Sequence, residues 1–143
     1  MAAPILQVAA KAVIVDGAGR LLLVRESRKS TNSQSGLYGI VGGRLEPGES
    51  FFDALAREVK EETGLVVTPI KPIFLGEWRP NVLGVQYHIV ATFFWCYTDK
   101  TEVKISDEHD HFVWINPAEY PDYPMMQPDP LAIDQLIKEL RQS

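Results

Sequence analysis

The sequence predicts an α/β fold of the α/β/α sandwich type, in which a mixed, partly antiparallel sheet lies between two helices. The first helix is marked at its start by the capping box of Ser50 and Asp53 and at its end by Gly64. The second begins at Asp129-Pro130, an N-cap followed by proline, and carries apolar residues at helical spacing. Strand-like runs fill most of the remaining chain. We therefore expect one α/β domain over residues 1–143, with a helix on each face of the sheet.

The strand predictions rest on apolar or alternating runs that end at turn residues. A mostly apolar run over 8–15 predicts a central strand, and an Asp-Gly turn after it returns the chain into a second strand. The segment 26–36 is polar and rich in serine, which predicts a loop. The predicted strands cover residues 8–15, 21–25, 37–41, 65–70, 73–78, 86–97 and the second half of 106–114.

Composition is typical of a globular protein, with 45% of the residues hydrophobic and 23% charged. The net charge of −5 argues against binding to a nucleic-acid polymer, which usually requires a basic patch. We find no signal peptide and no apolar run near the ~20 residues of a membrane span, so we expect a cytoplasmic protein without membrane partners. The single cysteine, Cys96, excludes an intramolecular disulfide.

Three glutamates of the first predicted helix, Glu58, Glu61 and Glu62, lie next to its apolar side. Like charges four residues apart destabilise a helix by roughly 0.2–0.5 kcal/mol. One interpretation is a solvated acidic surface, which is what most charge runs are. The other is a divalent-cation site, because carboxylate oxygens suit Mg²⁺ or Mn²⁺ and a cation would convert the repulsion into coordination.

The spacing around these glutamates favours the second interpretation. From Gly43 to Leu65 the chain reads G-x5-E-x7-R-E-U-x-E-E-x-G-U, where U is aliphatic. This stretch resembles the Nudix box at every fixed position. The resemblance implies the Nudix fold, a requirement for Mg²⁺ or Mn²⁺, and hydrolysis of a diphosphate linkage in a nucleoside diphosphate derivative. It also implies that Glu49 pairs with Arg57 and holds the loop against the helix.

The same resemblance implies a set of metal ligands. The backbone carbonyl of Gly42, the residue before the box glycine, is one of them. Glu58 and Glu62 are the main carboxylate ligands, and Glu61 is a further ligand or the general base.

A second acidic segment, DEHDH, precedes the last predicted strand. Many Nudix enzymes carry an additional glutamate on this loop as metal ligand or general base, and the resemblance singles out Glu108 for that role. Asp107 and Asp110 are close competitors. A transition-metal site at His109 and His111 lacks a defined ligand set, and a solvated loop is the remaining alternative.

Cationic and aromatic residues near these motifs are candidates for substrate binding. Arg25 and Arg28 give the polar loop a positive charge that suits phosphates, and Arg44 follows the box glycine. Tyr87, in the longest predicted strand, could line a base or sugar pocket, although aromatic residues in a sheet more often belong to the core.

Two function classes stay open at this stage. The first is a metal-dependent pyrophosphohydrolase, with Glu61, Glu108, Arg57 and Glu49 as the catalytic candidates. Its partner would be a sugar nucleotide, ADP-ribose, a nucleoside triphosphate or another nucleoside diphosphate-linked small molecule. The second is a Nudix-fold module that senses a nucleotide without turnover. The intact carboxylate set favours the enzyme, and a homodimer is possible because dimers are common in the family.

Overall fold

A computed structural model of the chain describes residues 2–30 and 33–142. Thr31 and Asn32, which belong to the predicted polar loop, lie outside the described residues. The described chain forms eight strands, two α-helices and one short 3-10 helix. In chain order they are β1 (Ile5–Val15), β2 (Leu21–Glu26), β3 (Tyr38–Gly39), β4 (Val41–Arg44), α1 (Phe51–Thr63), β5 (Thr68–Trp78), β6 (Asn81–Val82), β7 (Val85–Tyr97), β8 (His109–Ile115), the 3-10 helix (Pro117–Asp122) and α2 (Asp129–Gln142).

The strands form a mixed sheet, as the sequence predicts, with β1 at its centre. The main path runs β3-β2-β1-β7-β5, while β8 pairs with β2 and β6 pairs with β7. β1 runs parallel to β7 along its length and antiparallel to β2 and β4. Residues Ala9 to Ala12 of β1 therefore hold β4 in place, and β4 leads into the box helix.

Each face of the sheet packs against one helix. On one face, Leu55 and Val59 of α1 are buried in the same cluster as Ile14 of β1. On the other, Leu136 of α2 is buried in the same cluster as Val13, the preceding residue of that strand. Successive residues of a strand point to opposite faces, so β1 contributes to both cores. The predicted α/β/α sandwich is confirmed.

The ends of α1 lie where local sequence signals place them. The Ser50 side chain accepts a hydrogen bond of 3.1 Å from the Asp53 backbone N–H. Gly64 ends the helix in the left-handed conformation, with φ of 74°, and its N–H donates to the carbonyl of Lys60. Within the described residues, neither helix has the length and apolar character needed to cross a membrane.

The two strands predicted over 65–70 and 73–78 are one strand, β5. Its pairing with β7 continues through Pro69 and Pro72, and the register shifts just after each proline. Proline donates no hydrogen bond to the ladder and is tolerated at a sheet edge or at a bulge. The prolines therefore mark irregularities within one edge strand rather than its two ends.

The strand predicted over 37–41 is instead two strands separated at Ile40. β3 pairs with β2 and β4 pairs with β1, so the chain changes partner at this residue. Side chains satisfy its peptide groups: the Ile40 N–H donates to Asp129 Oδ2 at 2.8 Å, and its carbonyl accepts from Lys11 Nζ at 3.2 Å. Asp129, expected only as an N-cap, is 2% exposed and is committed to this contact.

Candidate active site

The carboxylates of α1 border a cavity of about 510 Å³ between β4, α1 and the loop before β8. Every residue predicted from the sequence as a metal ligand lies in its wall. The fold thus brings the loop glutamate to the box helix although the two are far apart in the chain. The lining residues are Gly42, Gly43, Arg44, Glu46, Arg57, Glu58, Glu61, Glu62, Ser106 and Glu108.

Arg57 links the carboxylates to one another and to the chain before the helix. Its guanidinium binds Glu49 through two hydrogen bonds, Nε to Oε2 at 2.8 Å and Nη2 to Oε1 at 3.0 Å. It also donates to Glu58 Oε1 at 3.0 Å, to Glu61 Oε2 at 3.4 Å and to the carbonyl of Arg44 at 3.2 Å. The hydrogen bonds from Arg57 lower the pKa of Glu49 to about 2. The predicted pairing of Glu49 with Arg57 is present.

The paired glycines of β4 make room for two side chains. Gly42 has φ of 149°, and a Cβ there would overlap the carbonyl oxygen of Ala10 and lie 2.8 Å from Lys11 Cδ. A Cβ on Gly43 would lie 2.5 Å from the carboxylate of Glu58. Glycine at both positions therefore lets Lys11 pass on one side of the strand and Glu58 approach on the other.

Glu62 is buried, with 5% exposure, at the inner end of the carboxylate cluster. Burial raises its pKa to about 9; the positive charge of Lys11 opposes this, while a hydrogen bond with Glu58 adds to it. The buried His109 ring lies beside it, with Nε2 at 3.6 Å from Glu62 Oε1, and burial lowers the pKa of His109. Without a cation, Glu62 therefore holds a proton at neutral pH.

Glu108 and its two competitors, Asp107 and Asp110, lie just before and at the start of β8, but in different surroundings. The Ser27 N–H donates to the Glu108 carbonyl at 3.0 Å, which ties the loop before β8 to the end of β2. Asp110 accepts from Arg25 Nε at 2.6 Å and from the Arg28 backbone N–H at 2.9 Å, and the bond from Arg25 lowers the pKa of Asp110. Asp107 is exposed, and of the three carboxylates only Glu108 lines the cavity.

A second cavity of about 380 Å³ adjoins the first and shares Gly43 and Arg44 with it. Trp78, Ile89 and Met126 supply apolar surface. The remaining lining residues, most of them polar, are Ala9, Lys11, Ser33, Gln34, Pro80, Asn81, Val82, Gln127 and Asp129.

The four residues predicted to bind substrate fall into two groups. Arg44 lines both cavities, and its guanidinium carbon lies 5.2 Å from the centre of the Tyr87 ring. Tyr87 thus contacts Arg44 and is not among the described residues that line either cavity. Arg25 is held by Asp110 and lies over a tyrosine ring of β3. Neither Arg25 nor Arg28 is among the described residues that line these cavities.

Comparison with known proteins agrees with this geometry. Residues 5–136, which span almost the whole chain, match the NUDIX domain. The chain belongs to the Nudix family. It is 32% identical to the CTP pyrophosphohydrolase of Escherichia coli K12 over 118 residues, which cover 82% of each chain. Over 95 residues, or 62% of this chain and 67% of the relative, it is 33% identical to the nucleoside triphosphatase NudI of that strain.

The fold agrees with solved Nudix structures as well. The MutT protein of Methanosarcina mazei Go1 superposes with a TM-score of 0.80 over 99% of both chains, at 24% identity. The superposition supports the fold, while the NUDIX domain match and the two relatives identify the chain as a Nudix hydrolase, an enzyme acting on phosphorus-containing acid anhydrides.

Nudix enzymes generally use divalent cations, and the donor set of the first cavity fits one. Five glutamates and two glycines line this cavity, and Glu62, buried among them, requires a cation or a proton. Ser106 Oγ, buried at the same cavity, has no hydrogen-bond partner among the described residues. Over residues 2–30 and 33–142, no three His, Cys, Asp or Glu side chains are already arranged to hold a metal ion. Carboxylate oxygens of Glu58 and Glu61 instead accept hydrogen bonds from Arg57.

Sequence reasoning missed the residues of the second cavity. The sequence predicts Asp129 only as a helix cap, and no local pattern brings Trp78 and Met126 beside it. Lys11 is a sequence signal for this cavity, since it is a cation within an otherwise apolar predicted strand.

Proposed function

We propose that this Nudix hydrolase is a metal-dependent pyrophosphohydrolase that cleaves the diphosphate linkage of a nucleoside triphosphate or a related nucleoside diphosphate derivative. The observation that supports this best is the pair of adjoining cavities. One is lined by carboxylates suited to metal-bound phosphates, and the other offers aromatic and aliphatic surface suited to a base. They share Gly43 and Arg44, so a single nucleotide can occupy both.

The metal would be Mg²⁺ or Mn²⁺, held by Glu58, Glu62, the Gly42 carbonyl and either Glu61 or Glu108. When bound, such a cation offsets phosphate charge and lowers the pKa of a coordinated water. Binding requires that Glu62 lose its proton, and the carboxylates engaged by Arg57 must turn toward the cation. The hard oxygen donors of this set favour these two metals over zinc or copper.

The side chains of the chain itself would divide the remaining tasks. Arg44, supported by Tyr87, would bind a phosphate where the two cavities meet. Glu108 or Glu61 would accept the proton of the attacking water as its oxygen bonds to phosphorus and the bond to the bridging oxygen breaks. Arg57 would act as a positioning residue, because its donors are engaged by Glu49, Glu58, Glu61 and a backbone carbonyl.

The relatives favour a nucleoside triphosphate among the candidate substrates. The two reported above are named for CTP and for nucleoside triphosphates, and the first aligns over most of both chains. A compact second cavity of about 380 Å³ suits one base and its sugar. On this reading the products are a nucleoside monophosphate and pyrophosphate.

The test is a hydrolysis screen with Mg²⁺ and with Mn²⁺ over nucleoside triphosphates, ADP-ribose, sugar nucleotides and dinucleoside polyphosphates. We expect CTP or another triphosphate to give monophosphate and pyrophosphate, and chelation to abolish turnover. Glu62→Gln, which resembles the protonated acid in shape, should fold normally and lose at least about 10²-fold in kcat. The exposed Glu102→Gln serves as the control. Turnover in excess EDTA would overturn the metal requirement.

A sensing module without turnover is the second candidate function. It would bind nucleotide in the same two cavities, so binding alone does not distinguish the two. If the panel gave no product while a nucleotide bound with micromolar affinity, the sensing function would replace the hydrolase.

A further inference from the structure

Lys11 is a charged residue at the centre of the sheet that the proposed chemistry leaves without a role. It lies between Ala10 and Ala12 in β1, and both of these neighbours are fully buried. Lys11 itself is half-buried. A lysine is rarely found in such surroundings, because removing its ammonium from water is costly unless the group has partners. The described residues place one acceptor within hydrogen-bonding distance of Nζ, the carbonyl of Ile40 at 3.2 Å. An ammonium has three donors, so Lys11 retains donors for a ligand.

The side chain of Lys11 extends toward the junction of the two cavities. It lines the second cavity, whose wall it shares with Arg44 and Gly43, the two residues common to both cavities. Its stem passes beside Gly42, where a Cβ would lie 2.8 Å from Lys11 Cδ. The positive charge of Lys11 acts on groups in both cavities. It opposes the pKa increase that burial causes at Glu62 in the first cavity and at Asp129 in the second.

We propose that Lys11 contacts the substrate directly, donating hydrogen bonds to the phosphoryl group nearest the nucleoside. The inference rests on the proposed function, in which the phosphates occupy the first cavity and the nucleoside the second. The phosphoryl group joining these two parts must then pass the junction. There Arg44 offers one cation, and Lys11, whose stem passes beside Gly42, offers a second.

A purely structural role for Lys11 makes a different prediction. If the ammonium only held the Ile40 carbonyl where β3 gives way to β4, its loss would loosen both cavity walls. Binding of charged and uncharged ligands would then weaken together. A phosphoryl contact instead affects ligands that carry a phosphate and spares those that do not.

The experiment compares binding of cytidine 5′-monophosphate and cytidine by calorimetry in Mg²⁺, using wild type, Lys11→Met, Lys11→Arg and Lys71→Met. Lys71 is the matched control, because it also pairs with a protein oxygen, that of Glu139, but on the α2 side of β5. We expect Lys11→Met to weaken monophosphate binding by about 10- to 100-fold and cytidine binding by less than about 3-fold. Lys11→Arg should retain most of the monophosphate affinity, and Lys71→Met should change neither.

Equal losses for the two ligands in Lys11→Met, or full monophosphate affinity in that variant, would overturn the proposal. The melting temperature of each variant shows whether the fold is intact. If Lys11→Met unfolds, the binding comparison uses Lys11→Arg, which keeps the charge. If the wild type binds neither ligand, the second cavity is not a cytidine site and the proposal fails. The hydrolysis panel then decides separately whether the hydrolase function fails with it.

Discussion

At the scale of single residues, Arg57 is the group on which the most site contacts converge. It binds Glu49 with two parallel hydrogen bonds and also reaches Glu58 and Glu61. A guanidinium is planar and presents its donors in a fixed fork, so it can orient several carboxylates at once where a lysine could not. Glu49 in turn accepts from the Glu46 backbone N–H at 3.0 Å, which anchors the loop before α1.

The first prediction concerns this contact. If Arg57 and Glu49 act as one unit, Arg57→Ala and Glu49→Ala should each lower kcat/KM, and the double variant should be little worse than the worse single variant. The resulting coupling should be about 10-fold or more in kcat/KM. A double-mutant cycle measures it. Additive losses would mean that the two side chains work independently.

The second prediction concerns the carboxylates of the loop before β8. As a general base, Glu108 should contribute about 10²–10⁴-fold to kcat, and Glu108→Gln should remove the acidic limb of the pH–rate profile. As a metal ligand, it should instead raise the Mg²⁺ concentration needed for half activity. Steady-state rates measured across pH and Mg²⁺ concentration separate the two roles.

Asp107→Asn and Asp110→Asn are the matched controls. Asp107 is exposed away from the cavity and its variant should behave as wild type. Asp110 binds Arg25 and the Arg28 backbone, so its variant should melt at a lower temperature while keeping its metal dependence. Normal kcat in Glu108→Gln together with loss of activity in either control would assign the role to that other carboxylate.

At the scale of secondary-structure elements, other groups pack closely against both faces of β4 at its two glycines. Gly42→Ala would drive a Cβ into the backbone of β1, which cannot move without breaking the central strand pairing, and the positive φ adds strain. At Gly43, the three atoms nearest to an added Cβ all belong to the carboxylate of Glu58, which can turn away.

The third prediction follows from this difference between adjacent glycines. Gly42→Ala should destabilise the protein by about 3 kcal/mol or more. Gly43→Ala should stay within about 1 kcal/mol of wild type but lose activity, because Glu58 is displaced from the cavity. Thermal or denaturant unfolding measured together with kcat tests both variants. Similar stability losses in the two would contradict the account.

The elements also show which features a sequence can reveal. Both ends of α1 follow from residues that act locally, the Ser50 cap and the Gly64 stop, and the box glutamates are placed by that one helix. By contrast, Pro69 and Pro72 broke the apparent pattern of a strand that in fact continues through bulges. The division at Ile40 depends on Lys11 and Asp129, which are remote in the chain, and no local signal indicates it.

The site follows the same rule. The first cavity could be predicted because most of the residues that line it lie within one contiguous motif, and Glu108 only because a resemblance indicated its loop. The second cavity joins Trp78, Met126 and Asp129 from separate parts of the chain. Their meeting depends on sheet topology, which the order of strands in the sequence does not give. Arg25 and Arg28 were predicted to bind substrate from their charge alone. Instead, the Arg25 side chain and the Arg28 backbone N–H donate hydrogen bonds to Asp110.

At the scale of the whole molecule, the carboxylate cluster links folding stability to pH, and under the proposed function it would also link stability to metal binding. Metal-free Glu62 has a pKa near 9 because it is buried, whereas an unfolded chain restores an ordinary value near 4.5. Between these values the folded state binds one more proton than the unfolded state. Stability must therefore fall as pH rises through this range, by at most about 1.4 kcal/mol per pH unit from this group.

The fourth prediction is that metal-free wild type loses thermal stability from about pH 5 to about pH 9, and that Glu62→Gln shows a smaller slope. Asp129, whose pKa is also raised by burial, contributes in the same direction in both proteins, so the difference between them isolates Glu62.

Because a cation replaces the proton, stabilisation by Mg²⁺ should grow with pH in wild type, as ligand binding to the folded state requires. Melting curves at several pH values, with and without Mg²⁺, measure both effects, with Glu102→Gln as the control. If Glu62→Gln kept the wild-type slope, the buried proton would have to reside on another group, and Glu62 would lose its place as the residue through which metal and proton compete.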